Sequence, residues 1–253
     1  MIDRIVRGDC VEVMQSLPSA SFQLAFADPP FNIGKEYLGD SNDALSLQEY
    51  KEWVFSWLDE CIRLLVPSGV LVVHHIPVHA IWIANYLLDK LVFQNWIAWK
   101  ANSWPVTSRI NGEHYVFLVF SKGKPKYYKW GDMVAHATCR HCGEYLTDWG
   151  GKEKQRNPLG KRVSDVWTDI ERIRHKSKKF REDANELPEA VLERFIKLYT
   201  DENDLVLDPF LGTGTTAAVA KRLNRKFVGI EQSLEYVQIA KKRVGLPFDS
   251  IGK

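Results

Sequence analysis

Two short segments of this sequence carry residues that could bind a flat, amine-bearing ring and act on it. The first is Asp28-Pro29-Pro30-Phe31, which follows the apolar run Phe22–Ala27. The Asp28 carboxylate could accept one N–H bond and a carbonyl of the proline pair another, in a rigid geometry because each proline fixes φ at about −65°. Phe31 could stack on the ring. Taken alone, the segment is more typical of a buried strand that ends at a stiff turn.

The second segment lies between a predicted strand and a predicted helix and reads Gly212-Thr213-Gly214-Thr215-Thr216-Ala217. Glycines at this spacing permit a tight turn and a close approach of a ligand to the backbone. Glu231 ends the next strand, about 20 residues later, where an acid can accept bonds from ribose hydroxyls. Asp208 precedes the turn and would repel a pyrophosphate but attract an ammonium or sulfonium group. The pattern therefore favours S-adenosylmethionine over NAD.

The rest of the chain predicts strands and helices in alternation. The predicted strands are 22–27, 70–73, 93–99, 115–120, 205–207 and 227–230. The predicted helices are 47–65, 78–88, 188–199, 215–223 and 233–244. Pro67-Ser68-Gly69 is predicted to break the chain between a helix and a strand. This alternation implies an α/β fold, with a mostly parallel sheet covered by helices on both faces.

The composition is that of an ordinary globular protein. The chain has 253 residues, of which 45% are apolar and 26% charged. No apolar run approaches the ~20 residues that a membrane helix needs. The first residues also lack the basic-then-apolar layout of a signal peptide. We therefore expect a cytoplasmic protein without a membrane partner.

Positive charge is concentrated in one third of the chain. The formal net charge is only +2, but residues 122–181 hold 16 Lys and Arg against 7 Asp and Glu. Aromatic residues such as Trp149 and Trp167 are interleaved with them. Such a region suits a polyanionic partner, although a solvated lysine-rich surface would have a similar composition.

Together, the two motifs resemble those of the amino-group DNA methyltransferases. Asp28-Pro29-Pro30-Phe31 comes first, the basic region follows, and Asp208-Pro209-Phe210-Leu211-Gly212-Thr213-Gly214 comes last, which is the order of the permuted β group. The resemblance covers residues 4 to about 244. It implies a Rossmann-like, S-adenosylmethionine-dependent methyltransferase fold. It also implies a site-specific enzyme that acts on a base flipped out of double-stranded DNA.

The resemblance assigns the catalytic role to Asp28, Pro29, Pro30 and Phe31 and the acceptor role to an exocyclic amine. An acid before the two prolines is more usual among N6-adenine enzymes, so we expect adenine N6, with cytosine N4 as the alternative. A methyltransferase acting on RNA or a protein amide would use similar chemistry, and a non-catalytic nucleic-acid-binding module could retain the fold. The basic region favours DNA, and the intact motifs favour an enzyme.

The resemblance also implies the residues around the cofactor. The implied cofactor-binding residues are Asp9, Asp208, Phe210, Gly212, Gly214, Thr215, Thr216 and Glu231. Asp9 would bond the adenine amino group of the cofactor, and residues 111–117 would border the target-base pocket. A His-Pro-x-x-Lys-Pro stretch found in many family members is missing, and His175 with Lys176, or Asn185, are the candidates to replace it.

We divide the chain into a catalytic half (1–121), a target-recognition region (122–184) and a cofactor-binding half of the same domain (185–253). The candidate nucleic-acid contacts all lie in the recognition region. They are Arg140, Lys152, Lys154, Arg156, Lys161 and Arg162. Further partners implied by the family are a second copy of the chain and a cognate restriction endonuclease. The aromatic helix 47–65 could supply a dimer interface, but we expect it to pack on the sheet.

Cys139 and Cys142 form a Cys-x-x-Cys pair, which is half of a zinc knuckle. A structural zinc site needs further ligands, and His136, His141, His175 or a second chain could supply them. Two ordinary thiols in a reducing cytosol are the alternative. The other two cysteines, Cys10 and Cys61, are too scattered to suggest a disulfide framework.

Overall fold

The structure, a computed structural model, describes residues 2–34, 44–100, 112–125, 141–142, 163–173 and 186–247. Within these residues the protein is built on one eight-stranded sheet. The strands are β1 (Arg4–Arg7), β2 (Phe22–Ala27), β3 (Leu65–His75), β4 (Val92–Lys100), β5 (His114–Ser121), β6 (Val166–Trp167), β7 (Leu205–Asp208) and β8 (Lys226–Glu231). Their spatial order is β1-β8-β7-β2-β3-β5-β4-β6.

Helices connect most of these strands. In the described part of the chain they are α1 (Cys10–Gln15), α2 (Leu47–Leu64), α3 (Pro77–Leu88), α4 (Glu189–Tyr199), α5 (Thr215–Arg222) and α6 (Leu234–Val244). Ser46 and Glu49 form a capping box that starts α2. Ser233 caps α6 as predicted, whereas Pro188 occupies the N-cap position of α4 and not its first turn.

The predicted parallel sheet is confirmed for most of its strands. β1, β8, β7, β2 and β3 pair in parallel, while β5 runs antiparallel between β3 and β4. The break predicted at Pro67-Ser68-Gly69 is wrong, because these residues lie inside β3. The register between β2 and β3 shifts at this point, between Phe22 and Leu24. Such a bulge lets a strand continue past a residue that cannot donate a ladder bond.

Three short elements escaped prediction. β1, α1 and β6 have six residues or fewer, and so few residues give hardly any periodic signal. β6 nevertheless matters, since it comes from the predicted recognition region and pairs with β4 at Trp99 and Trp167. The sheet therefore includes residues from all three of the segments into which we divided the chain.

Apolar side chains are buried on both faces of the sheet. Successive residues of β5 alternate between two clusters, with Phe117 and Val119 in one and Val116 and Leu118 in the other. Helix α2 buries Trp57 and neighbouring residues in the second cluster, so its aromatic face packs on the sheet as expected. Among the described helices, none combines the length and the apolar character that crossing a bilayer requires.

Candidate active site

Asp28 and Asp208 lie at the same edge of the sheet, because each comes at the carboxyl end of one of two neighbouring parallel strands. β2 and β7 pair directly, with Leu24 opposite Val206. A cavity of about 740 Å³ opens at this edge and is lined by both aspartates. Ligands of α/β sheets bind outside the carboxyl ends of the strands, so this is where a small molecule is expected. The two predicted motifs therefore face one cleft.

The glycine turn has the backbone geometry that its sequence predicts. Gly212 and Gly214 have φ values of 55° and 87°, in the left-handed region. A Cβ added to Gly214 would lie 2.8 Å from the Ala240 Cβ, whereas one added to Gly212 would meet nothing within 4 Å. The second glycine thus allows α5 and α6 to approach closely, and the first leaves open space.

Glu231 is held beside this turn by backbone donors. Its Oε2 accepts the Gly212 N–H at 2.9 Å and its Oε1 accepts the Ser233 N–H at 2.8 Å. Burial raises the pKa of Glu231, and these N–H groups oppose that effect. Each carboxylate oxygen keeps a further lone pair, so the side chain can still accept hydroxyl bonds from a ligand.

Asp208 is buried beneath the turn, with 4% of its surface exposed. Its Oδ1 accepts the Phe210 N–H at 2.9 Å, and Thr216 donates a side-chain bond. Burial raises the pKa of Asp208 from 3.8 to about 7, and the nearby charges of Asp28 and Glu231 raise it as well. Near neutral pH this carboxyl is therefore poised to ionise when a cation enters the cleft.

The other predicted cofactor residues of the turn are anchored to α2 and α6. The Phe210 ring lies 5.2 Å from Trp57 and 5.6 Å from Trp53, measured between centroids. Thr215 accepts a bond from the Arg243 guanidinium at 3.0 Å. The turn is thus fixed by packing on one side and by a charged donor on the other.

Asp9 has a structural role that the sequence interpretation did not include. Its Oδ1 caps α1 by accepting the Val11 N–H at 2.8 Å, and its Oδ2 accepts a bond from Gln232 at 3.1 Å. Its neighbours Gly8 and Cys10 line the cavity. A contact between Asp9 and the cofactor stays a prediction.

The predicted catalytic loop is held by side chains from α2 and β3. The Asp28 Oδ1 lies 2.7 Å from the Nδ1 of His74. The Pro30 carbonyl accepts the Tyr50 hydroxyl at 2.5 Å. The Phe31 ring is buried, at 5.3 Å from the His74 ring. The carboxylate, the proline turn and the aromatic ring are thus all fixed in place.

Sequence reasoning missed several residues that line the cavity. Tyr50 and Trp53 have the helical spacing of core residues, and His74 lies in an apolar strand, so none of them carried a functional signal. Tyr115 also lines the cavity, and it belongs to the segment that the family resemblance placed beside the target base.

The predicted nucleic-acid residues Arg140, Lys152, Lys154, Arg156, Lys161 and Arg162 lie outside the described residues, as does Cys139. Cys142 is described, and it is exposed with a free thiol. No group of three potential metal ligands occurs among the residues that the structure describes. The zinc site stays a prediction.

Comparison with known proteins identifies the family. Residues 22–242 match the family model N6_N4_Mtase, described as DNA methylase. The chain belongs to this DNA methylase family. Type II methyltransferase M.BamHI of Bacillus amyloliquefaciens is 40% identical over 245 residues, which are 96% of this chain and 57% of that protein. The chain thus spans little more than half the length of this relative.

Other members of the DNA methylase family match over most of their length. The DNA adenine methyltransferase YhdJ of Escherichia coli K12 is 29% identical, with 95% of this chain and 82% of that protein covered. Among solved structures, the DNA modification methylase TTHA0409 of Thermus thermophilus in complex with S-adenosyl-L-methionine is 25% identical. It has a TM-score of 0.65 and covers 96% of this chain and 93% of that one. The predicted family, methyltransferase fold and enzyme class are confirmed.

The cavity of this DNA methylase fits S-adenosylmethionine, the cofactor of the predicted class. Its volume of about 740 Å³ lies within the ~300–1,000 Å³ of small-molecule sites. Five acidic and two basic residues line it in the described part of the chain. They are Asp28, Glu186, Asp208, Glu231 and Glu235, with Arg7 and Arg172. An acidic cleft beside a glycine turn suits a sulfonium cation attached to a nucleoside.

Proposed function

We propose that this chain methylates the exocyclic amino group of a base flipped out of double-stranded DNA, with adenine N6 as the expected acceptor. The observation that carries this proposal is the single cavity shared by Asp28 and the Gly212–Glu231 side. The cofactor supplies an electrophilic methyl group on sulfur when it is bound. The residues of the chain then need to hold the amine so that its lone pair points towards that methyl group.

The catalytic loop supplies two acceptors for the amine. We assign one N–H to the Asp28 carboxylate, whose Oδ1 is engaged by His74 while Oδ2 remains for the base. The other N–H goes to the Pro29 carbonyl, since the Pro30 carbonyl accepts the Tyr50 hydroxyl. Two acceptors fixed before the reaction localise the nitrogen lone pair without reorganisation.

Aromatic side chains replace the stacking that the base loses on leaving the duplex. Phe31 lies 5.8 Å from Tyr115 between centroids, and both rings line the cavity. Flipping costs a few kcal/mol, and stacking on an aromatic ring returns about 1–3 kcal/mol. The aromatic wall therefore offsets a large part of the cost of flipping.

The basic region is the proposed DNA-recognition surface. Its charge excess, 16 basic against 7 acidic residues in 122–181, suits contact with phosphates. We propose Arg140, Lys152, Lys154, Arg156, Lys161 and Arg162 as contacts, with arginine suited to reading guanine. As for a type II modification enzyme, methylation would protect DNA from a cognate endonuclease. A homodimer remains part of the proposal.

The test is transfer of a radiolabelled methyl group from S-adenosylmethionine to duplex DNA, followed by nucleoside analysis. Label in N6-methyladenine supports the proposal, and label in N4-methylcytosine moves it to the other base. RNA and the protein itself serve as competing acceptors, and label found only there contradicts it. The Asp28→Ala variant should transfer no label yet bind the cofactor with wild-type affinity. A folded Asp28→Ala protein that loses cofactor affinity would contradict the role of Asp28.

A further inference from the structure

Two adjacent histidines, His74 and His75, end strand β3 beside the catalytic loop. We call them the histidine pair. Successive side chains of a strand point to opposite faces of the sheet. β3 pairs in parallel with β2, so its carboxyl end lies next to the residue that follows β2, which is Asp28. The histidine pair therefore reaches the loop from two sides.

His74 makes the first of these contacts. Its Nδ1 lies 2.7 Å from the Asp28 Oδ1. Because an ionised carboxylate can only accept, Nδ1 carries the shared proton. The Nε2 of His74 is buried without a hydrogen-bond partner among the described residues, and the Phe117 ring stacks on the imidazole at 4.7 Å. A bare lone pair is tolerated there better than an orphaned N–H, which indicates the neutral Nδ1–H tautomer.

His75 has the opposite arrangement. Its Nδ1 accepts the Ile76 N–H at 2.9 Å, so the proton of the neutral ring is on Nε2. Nε2 lies 2.8 Å from the Tyr50 hydroxyl, which in turn donates to the Pro30 carbonyl. Burial lowers the pKa of His75 well below its usual value, with His79 and His74 contributing in the same direction, so the ring stays neutral. Every donor in this chain of bonds thus has a single acceptor.

We propose that the histidine pair positions the two acceptors of the methylated amine, His74 by orienting the Asp28 carboxylate and His75 by fixing the proline turn through Tyr50. This proposal rests on the proposed function and adds positioning residues to it. The histidine pair also flanks Phe31, whose ring lies 5.3 Å from His74 and 4.8 Å from His75. One dipeptide therefore contacts every part of the loop that holds the base.

The kinetic test compares three variants in single-turnover methyl transfer. His74→Phe keeps the shape and removes the donor, and it should lower the rate about 100-fold, as expected for a reacting group that loses its alignment. His74→Asn places an amide N–H near the Nδ1 position and should restore most of the rate. Tyr50→Phe, which frees the Pro30 carbonyl, should also slow transfer. Dissociation constants for cofactor and DNA should change little, because these contacts act on alignment.

A control separates positioning from stability. Thr200→Val removes another buried hydroxyl, which donates to the Ile196 carbonyl and accepts from Arg225 outside the cavity. It should lower the melting temperature and leave the methylation rate unchanged. A His74→Phe rate within about threefold of wild type, a barrier change below about 1 kcal/mol, would overturn the role of His74.

A second measurement does not depend on activity. Nitrogen-15 spectra of the imidazole rings should show His74 protonated at Nδ1 and His75 at Nε2, two different tautomers in adjacent residues. A His74 ring protonated only at Nε2 would overturn the proposal even in an active enzyme. Conversely, wild-type protein that shows both tautomers but labels no nucleic acid would overturn the proposed function and leave the contacts of the histidine pair established.

Discussion

The buried carboxyl of Asp208 should make the stability of this protein depend on pH in a direction opposite to that of most aspartates. A salt-bridged aspartate stabilises the folded state above its pKa. Asp208 has instead a raised pKa of about 7, against 3.8 for an ordinary aspartate, because burial disfavours its charge. Its contribution is therefore fully present below pH 3.8 and is lost as the pH rises through 7.

The size of the effect follows from the two pKa values. The difference between about 7 and 3.8, at about 1.4 kcal/mol per pKa unit, is about 4 kcal/mol. This is an upper bound, since relaxation and water entry reduce the cost of a buried charge. Between pH 5 and pH 8, linkage removes about 2.5 kcal/mol of stability. Asp208→Asn mimics the protonated acid and should lack this loss.

The assay is urea unfolding of wild type and Asp208→Asn at pH 5 and pH 8. The change in unfolding free energy between the two pH values should be about 2.5 kcal/mol more unfavourable for wild type. Subtracting one protein from the other removes the contributions of all other titrating groups. Asp89→Asn, which changes an exposed carboxylate, is the control and should titrate like wild type. Equal pH dependence of wild type and Asp208→Asn would refute the reasoning.

Three further predictions concern the turn, the base and the DNA. Gly214→Ala should destabilise the fold by about 1–3 kcal/mol, because its Cβ would meet Ala240, while Gly212→Ala should cost only about 1 kcal/mol for its positive φ; equal melting temperatures would contradict this. Phe31→Ala should weaken the flipped-base complex by about 1–3 kcal/mol, measured with 2-aminopurine fluorescence, whereas unchanged fluorescence would exclude stacking. DNA affinity should fall about 10³-fold or more from 50 to 200 mM salt if six or more phosphates are contacted, and an affinity insensitive to salt would remove the recognition role of the basic region.

The sequence predicted those parts of the fold whose signal is local. Long periodic runs such as 47–65 became helices near their predicted ends, and apolar runs such as 205–207 became strands. The glycine turn was predicted because its residue types are demanded by backbone geometry, as the φ of 87° at Gly214 shows. Prediction failed at Pro67, because a bulge can absorb a proline inside a strand and such register shifts leave no trace in a short window.

The supporting residues of the site could not be predicted, because they depend on which strands are neighbours. His74 reads as part of an apolar strand, and only the parallel pairing of β2 with β3 brings it to Asp28. Tyr50 reads as a core position of α2, and only the packing of that helix on the sheet brings its hydroxyl to Pro30. The motif residues thus define the chemistry, whereas strand order defines which polar side chains hold them. A polar residue at the carboxyl end of the strand next to a catalytic motif is therefore the place to search for such supports in other members of this family.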